Sequence, residues 1–257
     1  MKKHFTRTLA LILALATVLS TVIFANALSG GYADWSFDEE SGHLTVYSNV
    51  PYNDRFQDSE FFRMRNVIKS VSFADGVTAI EKNAFRNCFN IESIELPRTL
   101  EFIGPWAFAG CKELKSIELP GSVTYIGTYS FSGCVAIKEI VIPPKVTVVS
   151  ERAFANCNGL ESVNIPGNVK TIYAYAFRNC SALKTVVIEE GVDYISSYVF
   201  TDTSLESITL PASITKINSG LTYGTSATIN YIEGTYVDQY LHSAAAKIQN
   251  ETLVPIA

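Results

Sequence analysis

Five cysteines stand at Cys88, Cys111, Cys134, Cys157 and Cys180, at a step that never varies. Self-similarity at a fixed period of this size belongs to chains of stacked units, none of which can bury its own apolar face alone. Two further columns keep the step. Phenylalanine occupies Phe85, Phe108, Phe131, Phe154, Phe177 and Phe200, and branched residues occupy Ile80, Ile103, Ile126, Val149, Ile172 and Ile195. The last unit, which ends at Ile217, is one position short, having lost a residue between Phe200 and Leu205 together with the cysteine. With 47% hydrophobic and 18% charged residues, the chain has the means to bury a continuous core.

The clearest copy of the unit runs from Ile103 to Ile126. Ile117 and Leu119 alternate with Ser116 and Glu118, which predicts a short strand with two branched side chains turned inward and two polar ones outward. Pro120 ends that strand, because it cannot donate to a ladder and disfavours a helical predecessor. A second short extended segment is expected from Val123 to Ile126. Strand copies should begin near Ile68, Ile91, Leu114, Ile137, Leu160, Leu183 and Leu205, giving seven rungs about 4.8 Å apart and a rod of roughly 30 Å. The fold class is therefore a repeat solenoid with parallel strands.

The pattern L-x-x-I-x-L-P-x-x-V-x-x-I-x-x-x-A-F-x-x-C resembles the BspA-like leucine-rich repeat of bacterial secreted and surface proteins. The resemblance covers residues 68–217, with Ser130 and Val199 in place of the usual alanine before phenylalanine and Glu189 in place of the strand-ending proline. It implies a horseshoe-like leucine-rich-repeat architecture and an association with adhesion to host matrix proteins or other cells.

Solenoid ends need covering, because a bare last rung exposes core and unpaired backbone. Residues 28–67 are expected to form an N-terminal cap, with alternating strands at Trp35–Phe37 and Leu44–Tyr47. Residues 218–257 are expected to form a C-terminal cap: a strand over Ala227–Ile232, then a helix opened by Thr235 and Asp238 and striped by Val237, Leu241, Ala244 and Ile248. Before these, Lys2, Lys3 and Arg7 precede the apolar run Leu9–Phe24, and Ala25 and Ala27 supply small residues at a cleavage position. Residues 1–27 thus read as a signal peptide, too short in its apolar run to span a bilayer as a helix of about 20 residues. Its removal would take the net charge from -5 to -8, since it holds three of the 20 basic residues and none of the 25 acidic ones. Such a balance argues against nucleic acid or anionic lipid as partner. The expected location is extracellular, secreted or at the cell surface.

Chemistry is sparse. Beyond the signal peptide the chain has two histidines, His43 and His242, one in each expected cap, so no catalytic residue is assigned. One cysteine per coil and no C-x-x-C pair give no metal signature, and no cofactor is expected. The cysteines, odd in number, read as buried thiols rather than a disulfide ladder, although neighbouring coils lie within disulfide reach. Glu95 and Glu118 share an outward column at a spacing of about 5 Å, which suits a glycosidase pair but has no enclosing pocket. In the next column Lys69, Glu92, Lys115, Lys138, Glu161, Lys184 and Glu206 nearly alternate in sign and read as cross-rung pairing.

The most informative outward feature is aromatic. Phe102, Trp106, Tyr125, Tyr129, Tyr175, Tyr194 and Tyr198 follow the period beside the core columns. Such residues bring rigid contact area with a polar handle, as binding surfaces do. They either stack on one another and shield the coil edge, or meet an extracellular protein or glycan. A non-enzymatic binding module is the functional expectation, with a structural spacer or an enzyme acting on extracellular polymer as alternatives.

Overall fold

A computed structural model describes residues 22–25, 34–49, 60–243 and 251–256, the first of these in backbone only. Most coils contribute two short strands and one run of turns, so the rod has three faces. On the first face, His43–Val46, Ser70–Phe73 and Ser93–Glu95 pair in parallel, and after one coil the ladder resumes with Glu139–Val141, Ser162–Ile165, Thr185–Ile188, Ser207–Thr209, Thr228–Ile232 and Thr252–Ile256. On the second face, Ala79–Ile80, Phe102–Ile103 and Tyr125–Ile126 form one group, and Val148–Val149, Thr171–Ile172, Tyr194–Ile195 and Lys216–Ile217 another. Successive partners sit one repeat apart in register, as Val163 with Val186 and Ile172 with Ile195.

The third face is a ladder of turns. Phe85, Phe108, Phe131 and Phe154 each donate a backbone N–H to the next coil, at Ala107 (2.7 Å), Ser130 (2.8 Å), Ala153 (2.9 Å) and Ala176 (3.0 Å). Their rings stack inside the rod with centroids 5.4–5.6 Å apart and planes within 4–16°. Burying each ring contributes about 1.5–3 kcal/mol, and the offset stacking adds to it. The column has one member that the sequence period does not reveal. Phe61, one position out of step with Phe85, stacks on it at 4.8 Å and 5°, because the helical turn Glu60–Met64 stands where later coils have plain turns.

Each cysteine sits inside this face and donates its thiol to the phenylalanine carbonyl of the preceding coil. The Sγ–O distances are 3.9 Å for Cys88 to Phe61, 3.4 Å for Cys111 to Phe85, and 3.2 Å for Cys134, Cys157 and Cys180 to Phe108, Phe131 and Phe154. All five thiols are free and buried. In the shortened coil Thr203 takes the place of cysteine and donates to Phe200 of its own coil at 2.8 Å.

Two sequence expectations need correction. The strand expected over Leu114–Leu119 does not form, so the first ladder is interrupted at the third coil, while the second breaks between the third and fourth. This coil is the one flanked by like charges on both sides, Glu118 beside Glu95 and Lys115 beside Lys138, and like charges on directly opposed strand residues destabilise pairing. On the second face the Ser150 hydroxyl reaches the Ile126 carbonyl across the gap, where other coils use a backbone N–H such as Gly127 to Ile103. The C-terminal helix is also minor. It spans only Tyr236–Leu241, packs Val237, Tyr240 and Leu241 inward, and leaves Thr252–Ile256 as the last member of the ladder. Ala244 and Ile248, expected in its stripe, lie outside the described residues. Its N-cap uses Thr235, whose hydroxyl accepts from the Asp238 N–H at 3.4 Å, while the Asp238 carboxylate accepts from Gly234 rather than from Thr235.

At the other end, Trp35–Asp38 and His43–Val46 form the expected hairpin, antiparallel with Phe37 opposite Leu44. Within the segment read as signal peptide, Val22–Ala25 is placed antiparallel to Trp35–Asp38, and the rest lies outside the described residues. Among the described residues no helix is long and apolar enough to cross a membrane.

The nearly alternating charges resolve into separate pairs, Lys115–Glu92 at 2.7 Å, Lys138–Glu161 at 3.5 Å and Lys184–Glu206 at 3.2 Å. All are well exposed, so each is worth a few tenths of a kcal/mol at most. Glu189, at the position where other coils have proline, accepts from Asn164 Nδ2 at 2.8 Å and from the Gly167 N–H at 3.1 Å. Glu190 does the same for the coil beyond, accepting from the N–H groups of Ala212 at 2.8 Å and Ser213 at 3.1 Å. Two carboxylates thus brace the turn that lacks its proline.

Candidate functional site

The turn face requires a left-handed backbone twice per coil. Its N–H groups must alternate outward to the next coil, as Trp106, Phe108 and Gly110 do toward Thr128, Ser130 and Ser132. The residues flanking each phenylalanine two positions away therefore take positive φ. On the C-terminal side these are Asn87 (60°), Gly110 (77°), Gly133 (76°), Asn156 (60°), Asn179 (57°) and Asp202 (58°), the types that tolerate this conformation. On the N-terminal side they are Asn83 (63°), Trp106 (61°), Tyr129 (59°), Arg152 (54°), Tyr175 (60°) and Tyr198 (59°). After the first coil, this second column holds bulky residues at a conformation that costs of order 1–3 kcal/mol each.

These side chains form one continuous stack. Trp106 lies on Tyr129 with centroids 3.9 Å apart and planes at 8°, and Tyr175 on Tyr198 at 5.5 Å and 9°. Arg152 joins the two pairs, its guanidinium 5.3 Å from the Tyr129 ring centroid and 4.3 Å from that of Tyr175. Arg86 covers the far face of Trp106 at 4.2 Å, and Tyr223 closes the other end edge-on to Tyr198 at 6.2 Å and 89°. Trp106, Tyr129, Arg152, Tyr175 and Tyr198 are all half-buried. Stacked aromatic pairs contribute about 0.5–1.5 kcal/mol and exposed cation–π contacts about 0.5–1 kcal/mol. These gains are of the same order as the backbone strain.

The other three aromatics of the sequence pattern stand apart from this stack. Phe102 and Tyr125 stack at 5.0 Å and 10° on the second face. Tyr194, three coils beyond Tyr125, accepts from Asn218 Nδ2 at 2.8 Å and lies under Lys216 at 5.3 Å. Arg86, Arg152 and Tyr223 belong to the stack but carry no aromatic periodicity. Arg152 is legible from its column, whereas Tyr223 falls off the period in the shortened region.

Elsewhere, His43 holds Ser70 at 2.7 Å through Nδ1 and Ser72 at 2.9 Å through Nε2. Both ring nitrogens are thus occupied by hydroxyls on an open sheet face. His242 pairs with Asp238 of its own helix at 3.0 Å. Among the described residues no group of three or more His, Cys, Asp or Glu could hold a metal ion. Burial pushes the Cys88 and Cys157 thiols up to about 12 and the other three well above the ordinary 9.0, so none is a nucleophile in the folded chain.

A parallel solenoid of stacked, regularly repeating coils with an outward stack on its turn face defines a repeat protein of the leucine-rich class. The model of the BspA type leucine-rich repeat region matches residues 53–161 and 107–228 with six copies, and the chain belongs to that family. Solved structures agree on the fold. A leucine-rich repeat protein from Bacteroides ovatus is 20% identical, with 93% of this chain aligned to 76% of that one at a TM-score of 0.54. The T. pallidum leucine-rich repeat protein is also 20% identical, with 86% of this chain aligned to 97% of that one at a TM-score of 0.55. No curated protein is detectably similar.

Proposed function

We propose that this chain is a secreted or cell-surface binding module that engages an extracellular protein or glycan, in the manner of an adhesin, without catalysing a reaction on it. Residues 1–27 act as a leader, 28–67 and 218–257 close the ends, and 68–217 present the binding surface. The observation that carries this reading is the left-handed column: Trp106, Tyr129, Tyr175 and Tyr198 occupy positions where Asn or Gly is cheaper, and their stacking gain is only of the same order as that cost. Strained, half-exposed aromatics held rigid on a solenoid supply what a binding surface needs.

The internal precedent of Asn83 gives the test. The triple variant Trp106→Asn, Tyr129→Asn, Tyr175→Asn keeps a residue type that the first coil already uses. Binding to a panel of purified extracellular matrix proteins and glycans should fall at least tenfold, with Tm within about 5 °C of the parent. A Tm lower by more than about 10 °C with binding intact would make the stack a brace and the protein a spacer.

A further inference from the structure

Away from the turn face, three columns of backbone hydrogen bonds join coil to coil, and all three lapse at one junction. In the first column Lys115 donates to Glu92 at 3.3 Å and Glu161 to Lys138 at 2.9 Å, while the Lys138 N–H makes no such bond to Lys115. In the second, Thr124 donates to Glu101 at 2.9 Å and Lys170 to Thr147 at 2.7 Å, while Thr147 makes none to Thr124. In the third, Gly127 donates to Ile103 at 2.8 Å and Tyr173 to Val149 at 2.9 Å, but between Ser150 and Ile126 only a side-chain hydroxyl reaches across. Every other junction between coils over residues 69–218 keeps all three bonds.

Side chains follow the backbone at this joint. Lys115 and Lys138 occupy equivalent positions on its two sides, and each pairs with a glutamate on its own side, Glu92 at 2.7 Å and Glu161 at 3.5 Å. The outward stack crosses the joint through Arg152, 5.3 Å from the Tyr129 centroid, where the pairs on either side stack ring on ring. The turn face stays intact. Tyr129, Phe131 and Gly133 donate to Glu151, Ala153 and Ala155 at 3.1, 2.9 and 2.8 Å, and Phe131 lies on Phe154 at 5.6 Å and 4°.

A solenoid is held together by interactions between nearest coils, so a junction bonded along one face of three is the softest in the rod. Bonds kept along one line fix a pivot, and the faces that lack them open at lower cost. We infer that the rod bends between its third and fourth coils, with the turn face as pivot and the two strand faces opening, so that the first face is two stiff arms of adjustable angle. Bending needs no ligand and stands apart from the binding reading above.

The test places spin labels on exposed, outward positions of the first face in the full chain. Ser93→Cys with Thr185→Cys spans the joint. Ser162→Cys with Thr252→Cys spans an equal number of rungs, about 19 Å, without crossing it. The native cysteines are buried and are spared by the label. Pulsed electron resonance should give a distance distribution at least twofold wider for the first pair, with the excess on the long side. Equal widths, or an excess on the short side, would overturn the joint. Amide exchange of the unmodified chain is the second readout and does not depend on a labelled variant folding. The N–H groups of Lys138, Thr147 and Ser150 should exchange at least tenfold faster than those of Glu161, Lys170 and Tyr173. Comparable protection of the two sets would equally overturn it.

Discussion

The Cys134 thiol lies 3.2 Å from the carbonyl oxygen of Phe108, one coil earlier. The contact joins the two most regular columns of the sequence and gives the cysteine a role that pairing would abolish. The sulfur fills a tight interior position and supplies a weak donor to a buried acceptor. A disulfide to a neighbouring coil would remove that donor from both coils.

Thiol titration follows directly. Native protein at pH 8 should show no reactive thiol, because burial holds all five far above that pH, with Cys88 and Cys157 at about 12. In concentrated guanidinium without reductant all five should react. A count of three or one would reveal inter-coil disulfides and refute the thiol column.

Ser130 is fully buried and its hydroxyl has no hydrogen-bond partner. The equivalent positions hold Ala107, Ala153 and Ala176, each buried without a polar group to satisfy. Leaving a buried hydroxyl unpaired costs roughly 1–3 kcal/mol. Ser130→Ala should therefore raise stability by about 1 kcal/mol, read as a Tm increase of about 2–4 °C. A lower Tm would mean that the hydroxyl is satisfied in solution.

What the sequence made legible was everything carried by strict period: the phenylalanine stack from Phe85 to Phe200, the cysteine column and the paired strands of most coils. Phe61 escapes that pattern because the helical turn Glu60–Met64 lengthens its step by one position. The left-handed positions carry a signal of another kind, since Asn87, Gly110, Gly133, Asn156, Asn179 and Asp202 all belong to the few types that tolerate positive φ. Once that column is recognised, the bulky residues four positions earlier become the anomaly. Aromatic periodicity alone groups Phe102, Tyr125 and Tyr194 with the stack and leaves out Arg152, because period gives position along the coil and not which neighbours share a ring face.

Acid should act on the turn that lacks its proline. Hydrogen bonds from Asn164 and from the Gly167 N–H hold the Glu189 carboxyl below its ordinary value of 4.5. A carboxylate whose folded-state pKa is depressed contributes stability that is present above its unfolded value and is lost as pH falls through the folded one. Glu189→Gln should therefore lower Tm slightly at pH 7, and the gap to the parent should close as pH drops below 4.5. A gap that stays constant between pH 7 and pH 3 would show that the carboxylate charge contributes nothing there.

The broken ladder at the third coil offers the most local test of cause. If like charge keeps Lys115–Leu119 out of the sheet, reversing one charge should admit it. Glu118→Lys places a cation beside Glu95 on one side and faces uncharged Val141 on the other, so it removes one repulsion without creating another. The pair itself is exposed and worth only a few tenths of a kcal/mol, so Tm should rise by no more than about 1 °C. Amide exchange is the sensitive readout, because a strand that joins the ladder gains protection at its own N–H groups. Protection over residues 115–119 should increase severalfold while that of the neighbouring strand Ser93–Glu95 does not fall. Unchanged exchange would place the cause of the break in the backbone geometry between the third and fourth coils, where Ser150 already substitutes its hydroxyl for a ladder bond.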